Sequence, residues 1–344
     1  MIDFYVSLAH YASHLQPIWA AIPEAERGTF WCEQRAAPEL HRLDIPARIG
    51  RPPRPVRTVV VAGAHDVWIV QKAARHRVVL VEHGAGQAYD GDPDPGWSGG
   101  LRRDGVALFL CPNEVSAARN RAAYPSIPAL VVGSPHVDAL QALTSDASGF
   151  APTFEGPKAV VALSFHHPGI GKAPEAGWAL PHYEAALPAL VDELRAAGAE
   201  VIGHGHPRAR RHFARLWRSL GVEHVERFED VVRRADVYVV DNSSTAYEFA
   251  ACGRPVVLLN APWYRRDIDL WPRFWACADV GVQVDGPDDL AFMVQMALAD
   301  PPTVATGRIR AVREVYPYLD GKAARRSADA IVALDHEGAV TLPG

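Results

Sequence analysis

The chain has 344 residues, 49% hydrophobic and 22% charged, with a formal net charge of -5, which is enough apolar material for two domains that each bury a core. The acidic balance argues against a protein that coats a polyanion. No stretch approaches about eighteen consecutive apolar residues, and "MIDFYVSLAH" lacks a basic n-region and a long apolar core, so neither a membrane span nor a signal peptide is expected and the reading is a cytoplasmic protein.

In chain order, Ile2 to Val6 reads as the first strand, followed by a helix over "LAHYASHLQPIWAAI". Further short apolar strands are "TFWCE", "TVVVAG", "VVLVE", "ALFLC" and "ALVVG". Residues 143–158, "LTSDASGFAPTFEGPK", are the least periodic segment and read as an interdomain linker. A second series starts at "AVVAL" and continues through "EVIGHG", "VYVV", "VVLL" and "VGVQV". Strands separated by helix-sized segments predict parallel sheets with helices on both faces. The expected domains are 1–150 and 151–315, with 316–344 a helical segment packing back on the intervening cleft or on the first domain. The four cysteines, Cys32, Cys111, Cys252 and Cys277, lie far apart without C-x-x-C spacing and read as buried thiols in a reducing compartment.

The turn in "VYVVDNSSTAYEFAACGRPVVLL" carries the first chemical signal. Val237 to Val240 form a buried strand, Thr245-x-x-Glu248 reads as a capping box, and Gly253 followed by Pro255 stops the helix. In such a β-α-β unit the free amides of the helix N-terminus point outward and suit an anion. Asn242, Ser243, Ser244 and Thr245 would be ordinary as caps alone, but three consecutive hydroxyls exceed what one cap needs.

Histidine dominates the other strand ends. "VVLVE" runs into "HGAGQ" with His83, "AVVALS" into "FHHPG" with His166 and His167, and "EVIG" into "HGHPR" with His204 and His206. Turns at the same end of parallel strands converge on one region, where open α/β sheets bind ligands. These histidines lack H-E-x-x-H or cysteine partners at zinc spacing, so no metal is expected. Neither domain has G-x-G-x-x-G after its first strand, and no G-x-S-x-G elbow is present, so a nicotinamide cofactor and a serine hydrolase are set aside.

The segment "ADVYVVDNSSTAYEFAACGRPVVLL" resembles the donor-site signature of GT-B enzymes, above all the CDP-glycerol glycerophosphotransferase (teichoic acid polymerase) family. "HGHP" resembles that family's H-P turn, "EHGAG" its H-G-T turn, "YLDGKAARRSADAI" its closing segment, and "VVGSPHVD" the end of a GT-B amino-terminal domain. The resemblance implies an α/β GT-B fold, two Rossmann-like parallel-sheet domains facing across a cleft, the first for acceptor and the second for donor. It implies metal-independent, cofactor-free transfer of a glycerol phosphate or sugar from a CDP- or UDP-linked donor to an acceptor hydroxyl.

On the same resemblance, Ser243, Ser244 and Thr245 hold the donor diphosphate, with Asp241 orienting the turn and Glu248 reaching the ribose. His206 faces the phosphates with Arg208 as neighbour, and His166 and His167 join the donor side. His83 is the general base, suited to the task by an imidazole pKa near neutrality. His10 and His14 are reserve candidates on the acceptor side, where Gly84 and Gly86 allow close approach. Ala85 and Gly86 stand where that family places threonine and its successor.

The turn also resembles the non-hydrolysing UDP-GlcNAc 2-epimerases, which carry D-S-G-G and a glutamate matching Glu248, although "DNSST" has hydroxyls where two glycines are expected. A glycan-binding module without catalysis is the third class considered. Finally, "PRARRHFARLWRSLG" at 207–221 sets Phe213, Leu216, Trp217 and Leu220 as a buried stripe opposite Arg208, Arg210, Arg211, Arg215 and Arg218. That basic face is either solvated or a contact for an anionic acceptor: a lipid-linked glycan at a membrane surface, a polyol phosphate or modified DNA. "RPPRPVR" at 51–57 is a second candidate of this kind, and "VEHVERFED" at 222–230 is where base recognition is sought.

Overall fold

The computed structural model describes residues 1–53, 57–85, 103, 105–144, 159–167, 179–264, 266 and 273–337. Most of the expected linker, part of "RPPRPVR", and Gly86 lie outside them. The described residues divide into two compact units, one drawn from Met1–Ala85, Asp92–Ala139 and Tyr316–Gly344, the other from Leu140–Val315.

The first unit has seven strands, β1 Ile2–Val6, β2 Arg27–Cys32, β3 Ala47–Ile49, β4 Thr58–Val61, β5 Arg77–Val81, β6 Val106–Cys111 and β7 Ala129–Val131. They form one sheet in the order β3-β2-β1-β4-β5-β6-β7, with every pairing parallel. The order reverses between β1 and β4, the switch point at which such sheets present their loops to ligands. Side chains alternate across the strands: Ile2, Phe4 and Val6 join one apolar layer, and Tyr5 joins the other with Val59, Val61 and Phe109.

The helix Ala323–Glu337 belongs to this unit although it comes from the far end of the chain, and it packs on the helix Ala12–Ala21 and on β1. Its Ile331 and Leu334 complete the first apolar layer. Its Asp335 accepts hydrogen bonds from the Met1 amino group at 3.1 Å, Thr58 Oγ1 at 2.7 Å and Arg77 Nη2 at 3.1 Å.

The second unit holds β8 Val160–Ser164, β9 Glu200–Gly203, β10 Glu223–His224, β11 Val237–Val240, β12 Val256–Leu259 and β13 Val282–Val284. Their order is β10-β9-β8-β11-β12-β13, again all parallel. The switch point falls between β8 and β11. The expected stripe of the basic helix is present, with Phe213 and Trp217 wholly buried and Leu216 and Leu220 partly buried. It lies so close to the end of β9 that a Cβ on Gly203 would stand 2.2 Å from the Trp217 ring, and one on Gly205 2.2 Å from Phe213. The glycines of "GHGHP" therefore make room for the helix, and the histidine after each of them, His204 and His206, is carried along.

Two short strands were not expected from the sequence, β3 and β10. Both are sheet edges with largely exposed side chains. The cysteines are all free thiols; Cys32, Cys111 and Cys277 are buried, but Cys252 is partly exposed. Among the described residues no helix is long and apolar enough to cross a membrane.

Candidate functional site

The polar turns of the second unit leave the carboxyl ends of three neighbouring strands, β9, β8 and β11. Backbone pairing continues past the strands, His204 N–H donating to Leu163 O at 2.8 Å and His206 N–H to Phe165 O at 3.0 Å. Trp217 Nε1 donates to His204 O at 2.9 Å. The register brings His166, His167 and His206 together, with ring centroids 4.3, 4.7 and 4.4 Å apart. From the third strand the wholly buried Asp241 carboxylate accepts the backbone N–H groups of His166 at 2.6 Å and Ala179 at 2.9 Å. Burial pushes its pKa up to about 7, against the opposing pull of those two N–H donors and of Arg273. The structure makes Asp241 the tie between β11 and β8.

The donor turn differs from its sequence reading in one respect. Ser244, not Thr245, is the N-cap of the helix Thr245–Ala251, and Thr245 is its first helical residue. Ser243 Oγ accepts the Thr245 N–H at 3.3 Å and hydrogen-bonds Thr245 Oγ1 at 2.8 Å, while Thr245 Oγ1 also meets Tyr238 Oη at 3.1 Å. The capping box over Thr245-x-x-Glu248 is thus not formed with Thr245 as cap, because Ser244 takes helical φ/ψ and the Ser243 hydroxyl reaches the amide first. Glu248 is buried, and desolvation, followed by the nearby Glu229, pushes its carboxyl up to about 8. Asn242 is fully buried with neither side-chain polar atom hydrogen-bonded.

Tautomers follow from the ring partners. His206 Nδ1 accepts the Arg208 N–H at 3.2 Å, so the neutral ring carries its proton on Nε2 and can donate to an anion. Burial, then His167 and lastly the charge of the exposed Arg208, hold the His166 pKa down to about 3. His166 Nδ1 lies 3.3 Å from His167 O, which leaves its Nε2 lone pair available. His204 plays a structural part, its Nδ1 bonded to Val225 O at 2.8 Å in the interior. Ligand nitrogens of His166, His167 and His206 all lie within 4.8 Å of one another, which is the one group among the described residues able to gather a metal ion.

The first unit assembles a second cluster. His10, His14 and His83 come together, with the His83 ring 5.8 Å from that of His14 and 6.4 Å from that of His10, and Tyr11 packs on His83 at 4.7 Å. His136, which sequence reasoning did not single out, lies against His14 with ring centroids 4.3 Å apart and the rings tilted by 44°. Burial and the other three imidazoles hold His14 well below the usual histidine range. Gly84 follows His83 with φ +72°, a conformation that favours glycine.

Arg273 was also missed. It is wholly buried, bonded to Asn260 Oδ1 and to Leu259 O at 3.2 Å, with its guanidinium 4.6 Å from the Trp275 ring. Its only sequence signal is the aromatic run "LWPRFW".

The family model CDP-Glycerol:Poly(glycerophosphate) glycerophosphotransferase matches residues 102–333, more than half of the 344-residue chain. No curated protein matches it. Among solved structures, the UDP-GlcNAc 2-epimerase of Methanocaldococcus jannaschii in complex with UDP-GlcNAc and UDP is similar at TM-score 0.66 and 14% identity, over 96% of this chain and 99% of that one. The UDP-GlcNAc 2-epimerase of Neisseria meningitidis bound to UDP-GlcNAc gives 0.59 and 15%, over 96% and 99%. The wall teichoic acid polymerase TagF, soaked with CDPG, gives 0.64 and 13%, over 98% and 89%. At these identities the likeness establishes the fold, a GT-B pair of parallel-sheet α/β units.

Proposed function

This chain belongs to the CDP-glycerol:poly(glycerophosphate) glycerophosphotransferase family, and from that premise we propose that it transfers a glycerol phosphate or a sugar from a CDP- or UDP-linked donor to an acceptor hydroxyl. One observation carries the reading: the hydroxyl-bearing turn after β11 and the Nε2–H of His206 after β9 flank the end of the strand between them, β8. In glycerol-phosphate transfer the acceptor oxygen bonds to phosphorus as the anhydride bond to the nucleotide breaks. Negative charge then collects on the departing nucleotide phosphate. Fixed donors aimed at that charge stabilise the transition state.

Ser243, Ser244 and Thr245 with the turn amides, and His206 with Arg208, supply those donors. Glu248 takes the ribose hydroxyls. His83 removes the acceptor proton, with His10 and His14 beside it in the first unit. Arginines 211, 215 and 218 of the basic helix suit an anionic acceptor; Arg210 is already paired with Glu226 at 2.8 Å. Use of a nucleotide-activated donor places the protein in the cytoplasm on this reading.

The test is nucleotide release from CDP-glycerol and from UDP-GlcNAc, with and without polyol-phosphate or lipid-linked acceptor. Release that requires acceptor supports transfer. A changed sugar formed without acceptor would instead make the chain an isomerase, and donor binding without turnover would make it a recognition module.

A further inference from the structure

We infer that His166, His167 and His206 form a binding site for a divalent transition-metal ion, zinc being the best match. The site stands on these histidines alone, and only its role toward the donor rests on the function proposed above. No spacing rule reveals it, because the ligands come from the ends of two adjacent parallel strands, not from one helix or one knuckle.

The backbone fixes two of the three ligands independently. His166 is held by Asp241 through its own N–H at 2.6 Å, and His206 by Phe165 O at 3.0 Å. The residue between Phe165 and His167 is thus anchored to β11 while its partner across the ladder is anchored to β8. A trio preorganised in this way loses little freedom on taking up an ion. His166 and His167 are 6% and 7% exposed, whereas His206 is only partly buried, so an ion reaches the group from the His206 side.

The chemistry of the donor set selects the ion. The group holds three imidazoles and no carboxylate, which suits zinc, cobalt, nickel or copper and not magnesium or calcium. Zinc–nitrogen bonds of about 2.0–2.1 Å set tetrahedral ligand nitrogens about 3.4 Å apart. The three nitrogens, within 4.8 Å of one another, reach that spacing by side-chain rotation of about an ångström.

The hydrogen bond from His166 Nδ1–H to His167 O at 3.3 Å is the kind of outer contact that fixes a ligand tautomer with Nε2 toward the metal. With an ion bound, His206 exchanges its Nδ1 contact with the Arg208 amide for a protonated Nδ1 and ligates through Nε2, so that the ion takes the place that the Nε2–H holds in the metal-free protein, facing the donor phosphates. One neutral hydrogen bond is a small sacrifice against a coordinate bond. Three protein ligands leave a coordination position open. β8 pairs with β11 up to Ser164 and Val240, so that position adjoins the donor turn, where a diphosphate oxygen would complete the shell.

The experiment uses tag-free, full-length protein stripped with chelator and titrated with ZnCl2, and separately with CoCl2. Expected are one zinc per chain after desalting, read by elemental analysis, and the intense visible absorption of four- or five-coordinate cobalt. His167→Ala should weaken zinc binding at least about 100-fold with an unchanged circular dichroism spectrum, while His41→Ala, at an exposed histidine of the first unit, should bind as wild type. His206→Gln gives the same readout should His167→Ala fail to fold.

Uptake well below one ion per chain would overturn the inference. So would the pale spectrum of six-coordinate cobalt, or histidine variants that bind zinc as wild type does. The two readings fail separately. Stoichiometric zinc without affinity for CDP-glycerol or UDP-GlcNAc would leave the metal site standing and remove the donor reading, and donor binding by a chain that takes up no zinc would do the reverse.

Discussion

Asp241 and His166 are 75 residues apart in sequence, yet the carboxylate of one accepts the main-chain N–H of the other at 2.6 Å, with the second carboxylate oxygen taken by Ala179 N–H at 2.9 Å. Both acceptors are used, so an amide cannot replace the acid. Asp241→Asn should turn an N–H toward one of these donors and leave it unsatisfied, costing roughly 1–3 kcal/mol. Urea unfolding reads the loss, and an unchanged midpoint would show that the tie is dispensable.

Among the described contacts the Ser244 hydroxyl makes no hydrogen bond, whereas Ser243 and Thr245 bond each other. Ser244→Ala should therefore leave thermal stability unchanged and weaken a diphosphate ligand by roughly tenfold or more, the worth of a hydrogen bond to a charged group. Ser243→Ala should do both, weakening the ligand and losing roughly 0.5–2 kcal/mol of capping. Calorimetric titration with CDP-glycerol and UDP-GlcNAc beside melting curves separates the two. Equal affinity of Ser244→Ala and wild type for both donors would argue against the anion role.

Glu248 makes stability depend on pH with a definite sign. Its carboxyl rises from 4.5 to about 8 on burial, so between those values the folded state binds more protons than the unfolded, and stability falls as pH rises. Glu248→Gln, which has no charge to bury, should match wild type near pH 5 and exceed it by up to a few kcal/mol near pH 9. Denaturant titrations across this range check it; parallel curves for the two proteins would show that Glu248 does not carry the penalty. If the carboxylate contacts ribose, the preference of wild type for ribonucleotide over deoxyribonucleotide should grow as pH rises toward 8, and the variant should lack it.

His83→Ala should keep donor affinity and lower turnover by roughly 10²- to 10⁴-fold. His136→Ala, which removes the imidazole packed against His14, should spare donor affinity too and shift the pH profile of turnover. A His83→Ala enzyme with more than about a tenth of wild-type turnover would move the base to His10 or His14.

The strands of the two sheets were legible because both faces of a parallel sheet are covered, so β11 and β12 read as unbroken apolar runs and β1 and β5 as runs with a single charged residue. β3 and β10 were not, since an edge strand is specified by backbone pairing and "ARI" or "EH" carries no apolar pattern. Capping at the donor turn was misread by one residue because Ser243, Ser244 and Thr245 are chemically interchangeable there, and only the helical φ/ψ of Ser244 decides between them. The convergence of His166, His167 and His206 was legible, because their turns leave the same ends of parallel strands, but linear spacing does not say which rings touch. His136 beside His14 escaped, since the two meet only after the sheet forms.

Gly203 and Gly205 permit the approach of Trp217 and Phe213, whose ring atoms would lie 2.2 Å from an added Cβ. Gly205→Ala should cost about 1–3 kcal/mol through overpacking and disturb the adjoining His206. A differential-scanning melt checks the first effect and donor titration the second; a variant with wild-type melting would show that the helix can give way.

The helix Ala323–Glu337 closes the apolar layer begun by Ile2, Phe4 and Val6. During synthesis that layer stays open until the helix Ala323–Glu337 has been made, so the unit whose strands come first in the chain is closed after the strands of the other are all available. The nascent first unit must wait with an exposed apolar face, a state that invites holding by a chaperone. A stop between Val315 and Ala323 would leave that face permanently bare, and such products should be cleared or aggregate even though every strand of both sheets had been made.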